Sequence, residues 1–139
     1  MVRPPLSPLP FVAVALLALV ASSCGRGAAA GEEATIAIAF SRFGPEELTV
    51  QAGVPLTLTL RNDDPIDHEW IVGNAETHER HRTGTEPFHD AVPTELTIPA
   101  LESRMTTVTF EEPGEYRYIC HLPGHETYGM VGVLKVTEG

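Results

Sequence analysis

The chain has 139 residues, with 19 acidic side chains, 9 Lys or Arg side chains and a formal net charge of -10. This length suits one domain with an ordinary hydrophobic core. The acidic balance argues against a nucleic-acid partner, because phosphate contacts need clustered Lys and Arg, and it favours a basic protein partner or simple solubility.

The first 23 residues have the pattern of a signal peptide. Arg3 precedes an apolar run from Phe11 to Val20, which has the length of a signal-peptide core and is too short to cross a membrane comfortably. The run ends in Ala21-Ser22-Ser23-Cys24, which resembles a bacterial lipobox. We therefore expect Cys24 to be lipidated and to anchor the protein to the outer face of the membrane. Ordinary cleavage within Ala28-Ala29-Ala30 is the alternative, and it would remove Cys24.

Residues 24–33 are predicted to form a flexible tether, and residues 34–139 to form one domain. From Thr35 onwards, short β-patterned runs alternate with turn residues. Leucines alternate with threonines after Pro55, as in a half-buried strand, and this proline restricts the strand start to an edge or first position. Eight runs occur, at about residues 35–40, 47–50, 54–60, 68–72, 95–98, 105–110, 116–120 and 130–136. This number predicts an all-β Greek-key β-sandwich.

Residues 73–93 are polar and show no strand pattern, so we expect a long functional or mobile loop with a short helix around Glu76 to Arg82. The loop contains His78, His81 and His89. We expect these histidines to be solvated. The alternative is that His78 and His81 bind a second metal ion in a copper carrier, chaperone or sensor.

The stretch from Cys120 to Met130 contains a Cys-x4-His-x4-Met pattern with His125 at its centre. A thiolate selects Cu(I), imidazole binds copper in both oxidation states, and a thioether serves as a weak axial ligand, so the set favours a trigonal His2Cys copper site with axial Met. The second histidine must come from elsewhere in the chain. His68 is the best candidate, because it lies where a turn leads into an apolar strand. Strand alternation directs Cys120 and His121 to opposite faces, so we do not expect His121 to share this metal.

The run from Pro113 to Cys120, continued through Pro123-Gly124-His125 to Gly129-Met130, resembles the copper-ligand loop of the cupredoxins, particularly the rusticyanin, auracyanin and sulfocyanin-like members. The resemblance covers nearly all of the chain after about residue 34. It implies a cupredoxin-like sandwich with one type 1 copper ion bound by His68, Cys120, His125 and an axial Met130. It also implies a structural corner role for Tyr116.

One position departs from the family. The residue after the first ligand histidine is commonly Asn or Ser in cupredoxins, and its backbone N–H reaches the cysteine sulfur. Here this residue is Glu69, so the sequence does not establish the contacts around the sulfur. Such outer contacts tune metal affinity and redox behaviour.

The resemblance implies transfer of single electrons between Cu(II) and Cu(I), in the periplasm or at the cell surface. The expected partner is a redox protein such as a cytochrome or a respiratory complex, and we expect a monomer. In the family, the loop histidine lies nearest to solvent within an apolar patch, which Leu122, Pro123, Gly124 and His125 would form here. No residue is assigned a catalytic role, so the protein is expected not to be an enzyme.

Two other interpretations compete with electron transfer. Copper nitrite reductases and multicopper oxidases contain adjacent Cys and His residues, as at Cys120 and His121, but they use several domains and His-x-His pairs that this sequence lacks. A cupredoxin that has lost its metal is the other possibility. The presence of all four ligand types argues against it.

Overall fold

A computed structural model of the chain describes residues 31–84 and 92–139. The predicted signal peptide, the tether up to residue 30 and His89 lie outside the described residues. The described part contains one helix, α1 (Ala75–Arg82), and nine strands: β1 (Glu32–Ala39), β2 (Arg42–Gly44), β3 (Glu47–Gln51), β4 (Pro55–Asn62), β5 (His68–Gly73), β6 (Glu95–Ile98), β7 (Ser103–Thr109), β8 (Gly114–Ile119) and β9 (Val131–Thr137).

The strands form two sheets, with orders β2-β1-β4-β7 and β3-β9-β8-β5-β6. The β1–β4 and β3–β9 pairs are parallel, and the other pairs are antiparallel. The expected all-β sandwich is confirmed. The ninth strand is β2, whose three residues are too few to produce a recognisable alternation in the sequence.

The alternating pattern of β4 determines which side of the first sheet faces the core. Leu56, Leu58 and Leu60 are at most 1% exposed, whereas the intervening threonines are only partly buried. The three leucines belong to the same hydrophobic cluster as apolar side chains of the second sheet: Val50, Trp70, Val72, Tyr118, Leu134 and Val136. Each fully buried leucine contributes about 1.5–3 kcal/mol. Pro55 is the first residue of its strand, as predicted.

The expected short helix in the 73–93 segment is present as α1. The side chain of Asn74 accepts a hydrogen bond from the Thr77 N–H at 3.0 Å, which caps the first turn. Gly84 has a φ of 70° just after the C-cap Thr83, a conformation that glycine adopts without strain. In the described part of the chain, no helix has the length and hydrophobicity needed to span a membrane.

The pairing of β5 with β8 brings the candidate ligands to one end of the sandwich. These strands are antiparallel, with Ile71 opposite Ile119 and Val72 opposite Tyr118. His68 is the first residue of β5, and Cys120 directly follows β8. The two residues therefore lie close together although 52 positions separate them in the sequence.

Candidate metal centre

Three donor atoms meet at this end of the sandwich. The Nδ1 atoms of His68 and His125 lie 3.2 Å apart, and the Cys120 Sγ lies 3.1 Å from the His125 Nδ1. One ligand atom from each of the three residues lies within 4.8 Å of the other two. Donors that share one ion through bonds of about 2.0–2.3 Å lie roughly 3–4 Å apart. The geometry therefore suits a single metal ion.

Met130 lies beside these donors at the end of the loop. Its N–H donates to the His125 carbonyl at 2.9 Å, and its own carbonyl accepts from the Cys120 N–H at 3.3 Å. The side chain is fully buried and belongs to the same core cluster as Cys120. The structure thus brings Met130 next to two predicted ligands, and its axial role stays a prediction.

The Cys120 sulfur is fully buried and accepts a hydrogen bond from the Glu69 N–H at 3.3 Å. The backbone makes this contact, so Glu69 preserves it although its side chain departs from the family pattern. Burial raises the pKa of the Cys120 thiol to about 11, against the opposing effect of the Glu69 N–H. The thiol alone stays protonated near neutral pH, whereas a coordinated metal ion deprotonates a thiol outright.

Asp64 orients His68, a role that sequence reasoning missed because it predicted only a turn there. The Asp64 Oδ2 lies 3.0 Å from the His68 Nε2. Since a carboxylate only accepts, Nε2 carries the proton and the lone pair of Nδ1 faces the cysteine and the other histidine. Metal-binding histidines typically donate their second N–H to an oxygen in this way. Burial lowers the pKa of His68 despite its contact with Asp64, which keeps the ring neutral and able to bind a metal.

The Asp64 carboxylate is itself fixed by the turn between β1 and β2. It accepts the N–H of Phe40 at 2.7 Å and the N–H of Ser41 at 2.8 Å. Burial would raise the pKa of Asp64, but these hydrogen bonds and the contact with His68 outweigh it and lower the pKa. No sequence signal links the turn to Asp64, because more than twenty residues separate them.

The loop after Cys120 is shaped by its own backbone hydrogen bonds. The His125 N–H donates to the Leu122 carbonyl at 3.0 Å, and the Gly129 N–H donates to the Glu126 carbonyl at 2.9 Å. Gly129 has a φ of 91°, and the Arg42 side chain donates to its carbonyl at 2.7 Å. A Cβ at this position would collide with the Arg42 guanidinium. The loop therefore positions His125 through local contacts and one long-range anchor.

Tyr116 has the expected corner role. Its hydroxyl donates to the Glu112 carbonyl at 3.1 Å, and its ring centroid lies 5.4 Å from that of Phe110. The ring thereby ties the start of β8 to the preceding turn.

The loop histidine reaches the protein surface. His68 and Cys120 are fully buried, whereas His125 is partly exposed. A shallow depression beside its ring is lined mainly by apolar residues from three loops: Pro65, Ile66, Asp67, Ala100, Leu122 and Pro123. The patch predicted at residues 122–125 thus extends across the end of the sandwich.

A second group of histidines corrects one expectation. His78 and His81 were expected to be solvated, but they are only 2% and 9% exposed, because α1 folds them against the body of the protein. His121 lies outside the His68–Cys120–His125 group, as strand alternation predicts, and its Nε2 lies 3.0 Å from the His78 Nδ1. Burial lowers the pKa of His121 to about 4. Burial lowers the pKa of His78 too.

The donor set at the first group matches the chemistry of copper. Two imidazole nitrogens, one thiolate sulfur and a neighbouring thioether are the ligands of a trigonal His2Cys copper site with an axial Met. The residues present therefore fit the predicted cofactor, one copper ion.

Comparisons with known proteins agree with this fit. A family model described as a cupredoxin-like domain matches residues 11–133. The copper-resistant cuproprotein CopI of Rubrivivax gelatinosus is 28% identical over 116 residues, covering 79% of this chain and 70% of CopI. Auracyanin-A of Chloroflexus aurantiacus is 33% identical over 97 residues, covering 60% of this chain and 60% of auracyanin-A.

Solved structures show the same relationship. The structure of auracyanin A, described as a blue copper protein from Chloroflexus aurantiacus, superposes with a TM-score of 0.61 at 26% identity, covering 78% of this chain and 100% of auracyanin A. Similarity to a blue copper protein agrees with the expectation that this protein is not an enzyme. Because the family model matches most of the chain and the sandwich and donor group agree with it, this chain belongs to the cupredoxin-like domain family.

Proposed function

We propose that this protein transfers single electrons through one type 1 copper ion bound by His68, Cys120 and His125, with Met130 as the axial ligand. The observation that carries the proposal is the convergence of two imidazole nitrogens and one buried sulfur at the end of the sandwich. Copper bound there supplies one-electron chemistry between Cu(II) and Cu(I). The protein fixes the positions of the ligands, excludes water and provides the contact surface for a partner.

The protein holds the donors in fixed positions. Asp64 fixes the His68 ring, the Glu69 N–H fixes the sulfur, and the hydrogen bonds of the 120–130 loop fix His125. Packing in the core keeps water away from His68 and Cys120. A donor set held from two strands and one loop changes little when an electron arrives or leaves, so the reorganisation that slows electron transfer is small.

The exposed edge of His125 gives an electron a short route to a partner. The apolar depression around it is shallow and confined to one end of the sandwich. A small interface there would suit short-lived redox encounters. The net charge of -10 favours a partner with basic residues around its own redox centre, because opposite charges speed the encounter. We therefore propose a basic redox protein, such as a c-type cytochrome, as the partner.

Electron exchange between the copper-loaded full chain and a basic c-type cytochrome tests the proposal. We expect a reversible one-electron couple, and we expect Leu122→Glu to slow the exchange at least about tenfold, because a carboxylate in a small apolar contact costs more than ~1 kcal/mol to desolvate. Met105→Glu is the matched control. Met105 is 68% exposed and lies on β7 of the other sheet, so its variant should exchange electrons at the wild-type rate. Lack of a reversible couple, or equal slowing in both variants, would contradict electron transfer through this patch.

We also propose that the protein acts outside the cytoplasm, anchored through a lipid on Cys24. The support is the apolar run from Phe11 to Val20 and the lipobox-like sequence that follows it. Intact-mass analysis of protein from membranes tests this, and a mature chain that begins at Gly31 without a lipid would refute the anchor.

Copper storage or delivery is a second candidate function. The similarity to a protein described as a copper-resistant cuproprotein favours it. A delivery protein would release copper to an acceptor protein faster than it exchanges electrons. An electron carrier would retain its copper through repeated cycles of oxidation and reduction.

A further inference from the structure

The buried residues of α1 are two histidines. Its sequence is Ala-Glu-Thr-His-Glu-Arg-His-Arg, and its buried side chains are His78 and His81. An isolated helix of eight residues is marginal in water and normally depends on an apolar face for its stability. Burying an imidazole is costly unless its nitrogens have partners. The contacts of these histidines are therefore central to how α1 is held.

His78 faces His121 across the junction between α1 and the end of β8. The His78 Nδ1 lies 3.0 Å from the His121 Nε2, and the His78 Nε2 lies 3.1 Å from the Arg117 carbonyl oxygen. Since a carbonyl only accepts, the His78 Nε2 carries the proton and its Nδ1 presents a lone pair to His121.

The other nitrogen of His121 faces a carboxylate. The His121 Nδ1 lies 3.6 Å from the Glu126 Oε2, and Arg82 of α1 bonds the same carboxylate at 2.6–3.2 Å. In the tautomer of His121 that carries its proton on Nδ1, the Nε2 lone pair faces the His78 Nδ1. The ring of His81 lies alongside, with its centroid 5.4 Å from that of His121.

This arrangement repeats the histidine pair of the first site. There, two imidazole nitrogens face each other at 3.2 Å, and the far nitrogen of His68 is bonded to an oxygen of Asp64. In the second pair the separation is 3.0 Å, and the far nitrogen of His78 is bonded to a backbone oxygen. An oxygen acceptor on the far nitrogen is the usual outer contact of a metal-binding histidine.

We propose that the His78 Nδ1 and the His121 Nε2 bind a second metal ion of the class that prefers imidazole, copper or zinc. The pair offers no thiolate, so it selects by nitrogen affinity, which is high for Cu(II) and Zn(II). The Glu126 carboxylate, which is paired with Arg82, lies on the far side of the His121 ring, 3.6 Å from its Nδ1. Because His121 is covalently joined to Cys120, an ion at this pair lies next to the first metal centre and perturbs its absorption.

Metal titration of the full chain, loaded beforehand with one copper ion at the Cys120 centre, tests the proposal. Zn²⁺ and Cu²⁺ are added in separate experiments, and bound metal is measured by competition with a chelator. We expect one further equivalent per chain with at least one of the two ions, together with a small shift of the visible absorption of the first centre. Binding of only one of the two ions would identify it as the occupant.

His78→Gln and His121→Gln should each weaken this binding at least about tenfold, since each removes one of two protein ligands. Glu79→Gln is the matched control, because Glu79 is an exposed residue of the same helix. Retention of the visible absorption of the first centre shows that each variant is folded and keeps the site of the proposed function intact. The proposal is overturned if neither ion binds beyond the first equivalent, or if the further ion binds equally well to both histidine variants.

Discussion

Two histidine pairs lie on opposite sides of the strand end that carries Cys120 and His121. The inner pair, His68 and His125, lies with Cys120 at the end of the sandwich. The outer pair joins His78 of α1 to His121, which follows β8. The nitrogen separations are nearly equal, at 3.2 and 3.0 Å. Geometry alone therefore does not distinguish their chemistry. The sulfur beside the inner pair does, because a thiolate favours Cu(I) strongly enough to support a Cu(II)/Cu(I) cycle.

The two pairs also differ in their access to solvent and to partners. The inner pair reaches the surface through His125, in an apolar depression with Leu122 and Pro123. On the outer side, the charged contact between Arg82 and Glu126 lies next to His121. The inner side is thus suited to contact with another protein, and the outer side to holding α1 in place.

Removing the sulfur should leave the inner pair with imidazole ligands only, like the outer pair. Cys120→Ala leaves both histidine pairs intact, and we expect it to abolish the intense absorption near the red end of the visible range in the copper-loaded protein. His121→Gln is the control, and it should retain this absorption because His121 lies outside the inner donor group. Colour that persists in the Cys120→Ala variant would show that the inner ligand set is wrong.

Acid should destabilise the copper-free protein largely through its buried histidines. The pKa of His121 is about 4 in the folded chain against 6.5 for an unperturbed histidine. The unfolded state therefore binds the proton first, and stability falls as the pH drops from about 6.5 to about 4. The loss from His121 alone is about 3 kcal/mol at the acid end. His78 and His68 act in the same direction, because burial lowers their pKa values too.

Urea unfolding between pH 7 and pH 4 measures this effect. The His121→Gln variant should lose less stability than the wild-type protein over the same range, since it lacks one group that titrates. If the free energy of unfolding falls by the same amount in both proteins between pH 7 and pH 4, His121 is not held neutral by burial.

Asp64 tests how far the inner site depends on the orientation of His68. Asp64→Asn should weaken copper binding about 10–100-fold, the usual effect of losing an outer hydrogen-bond partner of a ligand histidine. Asp63→Asn is the matched control, because Asp63 pairs with Arg61 on the surface. Competition with a copper chelator measures both variants, and equal affinities for the two would contradict the role assigned to Asp64.

Met130→Leu should have the smallest effect on stability. Leucine has a similar volume, so the cost is less than about 1.5 kcal/mol, and the protein should remain folded and coloured. Loss of an axial thioether should nevertheless shift the reduction potential. Met105→Leu, on the surface of β7, should leave the potential unchanged. A potential that is the same in wild type and Met130→Leu would make Met130 a core residue only.

Most of the inner side could be predicted from the sequence, because its signals are local. Turn residues around the Cys-x4-His-x4-Met pattern indicate the loop, and the leucine–threonine alternation of β4 indicates a half-buried strand. His68 could be chosen because it begins an apolar strand. The strand β2 is too short to show a pattern, so the sequence predicted eight strands where residues 31–84 and 92–139 contain nine.

Most of the contacts that escaped prediction join distant segments, and the one local contact, between Asp64 and His68, lies in a stretch that the sequence marked only as a turn. Asp64 contacts the β1–β2 turn and His68, and His78 contacts His121 more than forty positions away. A polar helix such as α1 has no apolar face to show which side is buried. Its histidines were expected in solvent because they lie in a polar, acidic segment, and only the fold brings them next to His121.

X-ray absorption spectroscopy at the copper edge tests the central claim most directly, using the full chain loaded with one copper ion. Coordination by His68, Cys120 and His125 predicts one short copper–sulfur bond and two copper–nitrogen bonds, and the Cys120→Ala variant should show no short copper–sulfur bond. A spectrum with nitrogen and oxygen ligands alone in the wild-type protein would contradict the inner site and the electron-transfer role built on it.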